Sequence, residues 1–457
     1  MKRLPTLVEG LDEILNGGLF EGGVYIFEGP PGVGKTTLAN QIAYTLARRE
    51  TRTLYVTMLA ESHARMLQHM EQQIFFDQQE VSATVFYVSG YRELEQGGLK
   101  AVVSLLRGEL IRHRASLLVL DGLVVDSLET MTNDSVRQFV HELQSLVSTM
   151  SCTCLILTSG NSNALSAEQT MVDGIFAFED HGFHWRAERR MQVRKFRGSM
   201  VIRGQHTFCL SSKGVQFFPR LESLPLVDAN AKMGPNLVPT GWQALDAALR
   251  GGGLLSGSAS IVVGRSGTGK TIFALAFAAH SGAEGPALVL SCTELASDLR
   301  RLSTELGLGV EAALFRGELV IRTLGQEDES MDEMGHQLLR LVDELKIRRL
   351  VVDGVAGLAD TLAFKDRGYR FLGRLLVELR RRGVTCLFTM DPEALAVAAG
   401  APLADGLVGW FDNLFVFDAV PAAGGLLNQR ILGVAKIRGG GAIKSSVDIA
   451  LSLAQGS

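Results

Sequence analysis

Short apolar runs alternate along this chain with longer segments in which apolar positions recur at helical spacing. The runs at residues 24–27, 53–58, 117–120 and 154–158 predict strands, and the periodic segment 38–46 predicts a helix. The pattern then returns: 260–263, 287–292, 350–352 and 385–389 read as strands, and 272–279 as a helix. A long helical region is expected between 58 and 117, and another between 292 and 350. Residues 9–23 and 240–257 each read as a short helix stopped by glycines. Alternating strands and helices of this kind argue an α/β fold, a mostly parallel, doubly wound sheet in each half, with ligands outside the carboxyl ends of the strands. Later in the first half the character changes. Runs at 175–178, 191–196, 207–210 and 215–218 lie close in sequence and predict a C-terminal antiparallel extension. The proline-rich stretch with Pro219, Pro225, Pro235 and Pro239 has little periodicity, so the expected organisation is a first domain over 1–222, a linker over 223–238 and a second domain over 239–457.

Two glycine-rich turns sit where a strand hands over to a helix. The first is Gly29-Pro30-Pro31-Gly32-Val33-Gly34-Lys35-Thr36-Thr37, and the second is Gly264-Arg265-Ser266-Gly267-Thr268-Gly269-Lys270-Thr271-Ile272. Both fit G-x-x-x-x-G-K-[ST], and both have the strand-to-helix context that pattern requires. The glycines let backbone N–H groups turn inward, and the helix that follows adds its positive end to a nest for phosphate oxygens. Lys35 and Lys270 are expected to reach the phosphates, and Thr36 and Thr271 to ligate Mg²⁺. The lysines are 235 positions apart, a spacing that makes the repeat a whole domain. Two strands end in aspartate, Asp121 and Asp353, as a Walker-B carboxylate would, and they are 232 positions apart. Acidic residues after the preceding strand, Glu61 and Glu294, are 233 apart.

Composition narrows the class. The 457 residues are 46% hydrophobic and 21% charged, which is globular, and the apolar runs are too short to span a bilayer. Acidic and proline residues soon after Met1-Lys2-Arg3 argue against a secretory signal, so a cytoplasmic protein is expected. Cys152, Cys154, Cys209, Cys292 and Cys386 lack metal-ligand spacing and read as buried free thiols. A net charge of -4 speaks against a protein that coats nucleic acid.

Near the end of each half stands Lys195-Phe-Arg197-Gly, then Lys436-Ile-Arg438-Gly, 241 positions apart. With the Glu-Gly-Leu-Asp entry, the P-loops and the acidic positions, these residues resemble the KaiC-type ATPases of the RecA superfamily over nearly the whole chain. The resemblance implies two tandem RecA-like P-loop NTPase domains, ATP and Mg²⁺ as ligands, and a homo-hexameric ring with nucleotide between subunits. It also implies that Lys195, Arg197, Lys436 and Arg438 touch the γ-phosphate of the neighbouring subunit. The partner classes it suggests are a KaiB-like protein or a two-component signalling protein. Two departures stand out. Where the family carries paired glutamates, this chain has Ala60-Glu61 and Thr293-Glu294, which predicts slow hydrolysis with Glu61 and Glu294 as the remaining water-orienting groups. The stretch 407–412 lacks the adjacent Ser and Thr of the phosphorylating clock proteins, so no autokinase is expected.

The leading expectation is an ATP-hydrolysing switch or signalling scaffold. One alternative is a RecA/RadA-like DNA recombinase or helicase, supported by the basic run Arg186, Arg189, Arg190, Arg194, Lys195, Arg197 and Arg203 beside Trp185. The loops that would line a ring's pore oppose it. Residues 122–135 and 160–173 carry Asp126, Glu129, Asp134, Glu168 and Asp173 with no Lys or Arg, and 391–405 has none either, although Lys365, Arg367 and Arg370 follow the second Walker B. The other alternative is a nucleotide-bound scaffold without turnover.

Overall fold

The computed structural model describes residues 2–58, 63–122, 133–159, 171–183, 186–225, 234–249, 251–323, 330–355, 367–392, 409–421, 428–438 and 446–448. Contacts divide the chain into two compact units, Met1–Leu224 and Pro225–Ser457.

The first unit opens with a two-residue ladder, β1 (Arg3–Leu4) against β2 (Leu19–Phe20), around the helix Leu11–Ile14. Its main sheet contains β3 (Val24–Glu28), β4 (Thr53–Thr57), β5 (Val85–Ser89), β6 (Leu117–Asp121), β7 (Thr153–Thr158) and β8 (Gly174–Phe183). It continues into β9 (Arg186–Phe196), β10 (Gln205–Ser211) and β11 (Gly214–Phe218). The order across the sheet is β5-β4-β6-β7-β3-β8-β9-β10-β11, parallel from β5 to β8 and antiparallel beyond.

The second unit repeats the plan. A ladder of β12 (Leu237–Val238) with β13 (Leu254–Leu255) precedes a sheet of β14 (Ala259–Gly264), β15 (Ala287–Ser291), β16 (Leu319–Thr323), β17 (Arg349–Asp353), β18 (Thr385–Met390), β19 (Asn413–Pro421), β20 (Asn428–Lys436) and β21 (Ser446–Asp448). Its order, β16-β15-β17-β18-β14-β19-β20-β21, repeats the first sheet's order from β5 to β10, with no counterpart of β11 among the described residues. These are two mostly parallel α/β sheets of the RecA-like kind.

Alternation along β3 explains why the P-loop strand lies in mid-sheet. Tyr25 and Phe27 pack on one face with Leu38 and Ile42 of the helix Lys35–Ala47. Val24 and Ile26 pack on the other with Leu118, Leu120 and Leu143. A strand apolar on both faces must be covered on both, which suits parallel sheets wrapped by helices.

The structure departs from the sequence expectations in three places. β5 and β16 lie within stretches expected to be helical. Each is an edge strand of five residues, and in β5 only Val85 is buried, so its alternation is weak. β8 was expected in the antiparallel extension but runs parallel to β3, because the connection from Thr158 to Gly174 is long enough to return to the other end of the sheet. β12 forms within the stretch expected to be linker, and a two-residue ladder is too short to show a period.

All five cysteines are free. Cys152, Cys154 and Cys386 are buried, whereas Cys209 and Cys292 are only half-buried. Burial pushes the thiols of Cys152 and Cys292 up to about 12, which keeps them protonated. No helix among the described residues is long and apolar enough to cross a membrane.

Candidate functional site

Both P-loops lie at the carboxyl end of a central strand. In the first, β3 ends at Glu28, and Gly29 must pass so close to β8 that an added Cβ would stand 2.3 Å from the Phe178 carbonyl oxygen. Gly32 has φ 78° and faces open space, and Gly34, at φ 111°, caps the helix Lys35–Ala47. Residues 30–32 are exposed, and buried Val33 anchors the loop beneath them. The Lys35 ammonium donates to the carbonyls of Gly29 at 2.7 Å and Pro30 at 2.8 Å, which holds it folded over the loop. Burial lowers its pKa, and Asp121 opposes that shift.

The Walker-B carboxylate meets this loop. Thr36 donates its hydroxyl to Asp121 Oδ2 at 2.9 Å, and buried Tyr55 on β4 donates to the same oxygen at 2.7 Å. Burial raises the Asp121 carboxyl, with Tyr55, Thr36 and Lys35 pulling it back. A buried carboxylate short of positive charge beside a threonine hydroxyl is a hard-oxygen pair, which fits Mg²⁺ shared with phosphates better than an all-protein cage. No group of three or more His, Cys, Asp or Glu suited to a metal occurs among the described residues.

The second P-loop is built alike. Thr271 donates to Asp353 Oδ2 at 2.9 Å, and Lys270 donates to the carbonyls of Gly264 at 2.6 Å and Arg265 at 2.9 Å. Its supports differ. Asp353 Oδ1 accepts the Thr389 hydroxyl, where β7 has Leu157, and Val289 stands where β4 has Tyr55. Lys270 also makes a 2.8 Å ion pair with Asp391, just past β18, where the first half has Ser159.

Glu294 faces this second site. Burial first, then the charges of Asp353 and Asp298, raise its carboxyl above the usual glutamate range. Glu61 lies outside the described residues. Thr57 pairs with Asp121 and Ser291 with Asp353, so Glu294 is the third residue after its reference strand position and Glu61 the fourth.

The Lys-x-Arg elements stand elsewhere. Ile175 pairs with Lys195 and also with Ile26, and Gly174 pairs with Phe196 and Tyr25, so the element begins beside the amino half of β3. The P-loop leaves the other end, about 10–15 Å away at 3.3 Å per residue. The strands themselves end at Phe196 and Lys436, before Arg197 and Arg438. A bulge precedes each end, at Arg194 opposite Ile175/Phe176 and at Ala435 opposite Leu414/Phe415. Buried Asp412 accepts Arg438 at 2.7 Å and the Ala259 N–H at 2.9 Å, so it ties the element to the root of β14. Asp173 makes the matching 2.9 Å bond with the Val24 N–H, and Arg197 donates to the Met171 carbonyl at 3.1 Å. Lys436 donates to the Phe411 carbonyl at 2.7 Å. Burial and the neighbouring Arg197 lower the Lys195 pKa, against Asp173.

Sequence reasoning took Asp173 for a pore-loop carboxylate. It sits instead at the amino end of the P-loop strand. Tyr55, Thr389 and Asp412 were not singled out as site residues. Asp173 and Asp412, 239 positions apart, could have been found from the repeat. Part of the basic run is committed internally: Arg190 is buried against Glu188, Arg194 pairs with Glu28 and Arg197 donates to the Met171 carbonyl, and after the second Walker B Arg367 holds Asp332. Trp185, Lys365 and most of the expected pore loops lie outside the described residues.

The family described as ATPase: KaiC matches residues 4–222 and 238–446, one match in each half. The circadian clock oscillator protein KaiC of Picosynechococcus sp. is 23% identical over 373 residues, which cover 79% of this chain and 71% of that protein. KaiC 1 of Synechocystis sp. is 22% identical over 373 residues, covering 79% and 71%, and KaiC2 of the same organism is 24% identical over 403 residues, covering 85% and 69%. With the match spanning both repeats, the chain belongs to the KaiC family of ATPases.

Proposed function

We propose that this chain binds ATP with Mg²⁺ at both P-loops, hydrolyses it slowly, and assembles into a homo-hexameric ring whose nucleotide state switches its affinity for a signalling partner in the cytoplasm. The observation that carries this reading is a separation: each P-loop is joined to its Walker-B aspartate within one half, while Lys195 and Arg197, or Lys436 and Arg438, lie at the opposite end of the same sheet. Those cations serve a phosphate best when it is bound to a neighbouring copy.

In this reading the loop amides of residues 29–34 and 264–269 bind the phosphates, and Lys35 and Lys270 neutralise them. Thr36 with Asp121, and Thr271 with Asp353, hold Mg²⁺, which supplies positive charge against the transferring phosphoryl group. Glu61 and Glu294 orient water, and the cations of the next subunit stabilise charge in the transition state. A KaiB-like or two-component protein is the partner class that family analogy offers. A scaffold without turnover is the second reading, favoured by Ala60 and Thr293 where paired acids are expected. Nucleic-acid binding is disfavoured because Arg190 and Arg194 are already paired with carboxylates.

Sedimentation with and without ATP and Mg²⁺, with phosphate release measured in parallel with and without DNA, tests the assignment. Hexamers formed only with ATP and DNA-independent phosphate release are expected. Monomers under every nucleotide condition would reject the ring, and rings without phosphate release would favour the scaffold.

A further inference from the structure

The two P-loops share their main contacts, yet one difference falls on the residue that meets the nucleotide's charge. Lys270 is held by three acceptors, two loop carbonyls and the Asp391 carboxylate at 2.8 Å. Lys35 has the two equivalent carbonyls, and the register puts Ser159 at the position of Asp391. Val263 pairs with Met390 as Glu28 pairs with Thr158, so Asp391 and Ser159 each follow the strand beside their P-loop. Asp391 is about half exposed while Lys270 is largely covered, so the carboxylate stands at the mouth of the loop, on the side from which phosphate must approach.

We propose that Asp391 is a built-in competitor for the nucleotide's phosphates, which makes the second site weaker than the first and biases it toward the diphosphate. This inference rests on the P-loop reading above and concerns affinity at one of its two sites. A phosphate that engages Lys270 has to displace a carboxylate already paired with it. Once displaced, that carboxylate remains at the end of β18, the strand beside the one that leads into the P-loop. Asp353 brings negative charge to this site as Asp121 does to the first, so Asp391 is the added unit that opposes the nucleotide here and not beside Ser159. ATP carries one more phosphate than ADP and therefore bears more of the opposition. Even with nearly water-like screening, a carboxylate about 4 Å from a phosphate charge shifts a dissociation constant by about five-fold, and partial covering of the site brings the expected shift to about ten-fold or more. The first site is expected to fill at lower ATP, and the second to respond to the ATP-to-ADP ratio.

The test isolates each site by blocking the other. In a Lys35→Ala chain, MgATP and MgADP are titrated against the second half with Asp391 intact, with Asp391→Asn and with Asp391→Ser. Both substitutions are expected to tighten MgATP about ten-fold and MgADP less. Reciprocally, Ser159→Asp in a Lys270→Ala chain is expected to weaken MgATP at the first site by a similar factor, which covers the case in which the Asp391 variants fail to fold. Unchanged affinity in the Asp391 variants overturns the proposal. Weaker binding overturns it as well, since Asp391 would then be a ligand of the nucleotide's metal. Should MgATP still bind with full stoichiometry when Lys35 and Lys270 are both replaced by alanine, the P-loop reading itself fails, an outcome distinct from either of these.

Discussion

Two hydroxyls converge on one oxygen of Asp121, that of Thr36 from the P-loop helix and that of Tyr55 from β4. The Tyr55 hydroxyl is itself buried beside Asn40, and Tyr87 donates to Asn40 Oδ1 and lies 3.2 Å from the Tyr44 hydroxyl, so a polar chain runs under the first site. The second half has Leu275, Ala279, Val289 and Ile321 at the matching positions. Orienting partners of this kind set metal affinity by fixing a carboxylate's position. Tyr55→Phe should therefore raise the Mg²⁺ concentration needed to retain nucleotide at the first site by about ten-fold, measured in a Lys270→Ala chain. An unaltered Mg²⁺ requirement would reduce Tyr55 to packing. Glu294 gives a pH-dependent counterpart. Its carboxyl is raised by burial and by Asp353, and only the ionised form accepts a proton from water. Hydrolysis at the second site should accordingly be present above that raised value and be lost as pH falls through it. Glu294→Gln should slow turnover about 10²-fold and flatten this acid limb, while wild-type rates in Glu294→Gln would remove Glu294 from the water-orienting role. Wild-type turnover itself is expected below about 1 per second, the low end for efficient phosphoryl transfer.

At the scale of elements, each P-loop closes on the strand-terminal aspartate of its own half. Lys35 and Thr36 find their partners at residues 29, 30 and 121, and Lys270 and Thr271 find theirs at 264, 265, 353 and 391. Lys35→Ala and Lys270→Ala should each abolish binding in one half only. Calorimetric titration of either variant should give half the wild-type stoichiometry, and an unchanged value would strike that loop from the binding sites. These elements were legible because the P-loop needs a fixed glycine spacing and a buried strand needs a continuous apolar run. The edge strands β5 and β16 were not, since a strand with one neighbour and one exposed side carries little pattern.

On the scale of the whole molecule, the repeat places two complete phosphate loops and two complete sets of Lys-x-Arg cations in one chain, at opposite ends of their sheets. If catalysis needs both, copies must cooperate. A chain carrying Lys35→Ala and Lys270→Ala is expected not to bind nucleotide, and a chain carrying Arg197→Ala and Arg438→Ala lacks the arginine share of the donated charge. Each alone should hydrolyse ATP at least about 10²-fold more slowly than wild type. Mixed together, they should recover activity through rings in which one copy's arginines face the other's nucleotide. Failure of the mixture to exceed the sum of its parts, with mixed rings verified by mass, would sink the shared-site arrangement.

The order of residues by itself determined the duplication, the two P-loops, their threonines and the strand-terminal aspartates. Each depends on local spacing or on a periodicity of a few residues, so it survives in a one-dimensional reading. Tertiary structure alone decided which side chains hold those groups. Tyr55 meets Asp121 across 66 positions, Thr389 meets Asp353 across 36, and Asp391 meets Lys270 across 121. No local pattern encodes such distances, because they are set by the order in which parallel strands stack side by side. The same stacking, seen only in the sheet, put the Lys-x-Arg cations at the far end of the sheet from the P-loop of their own half. Strand direction fixes which end of the sheet a residue occupies, and β8, expected in the antiparallel extension, runs parallel to β3.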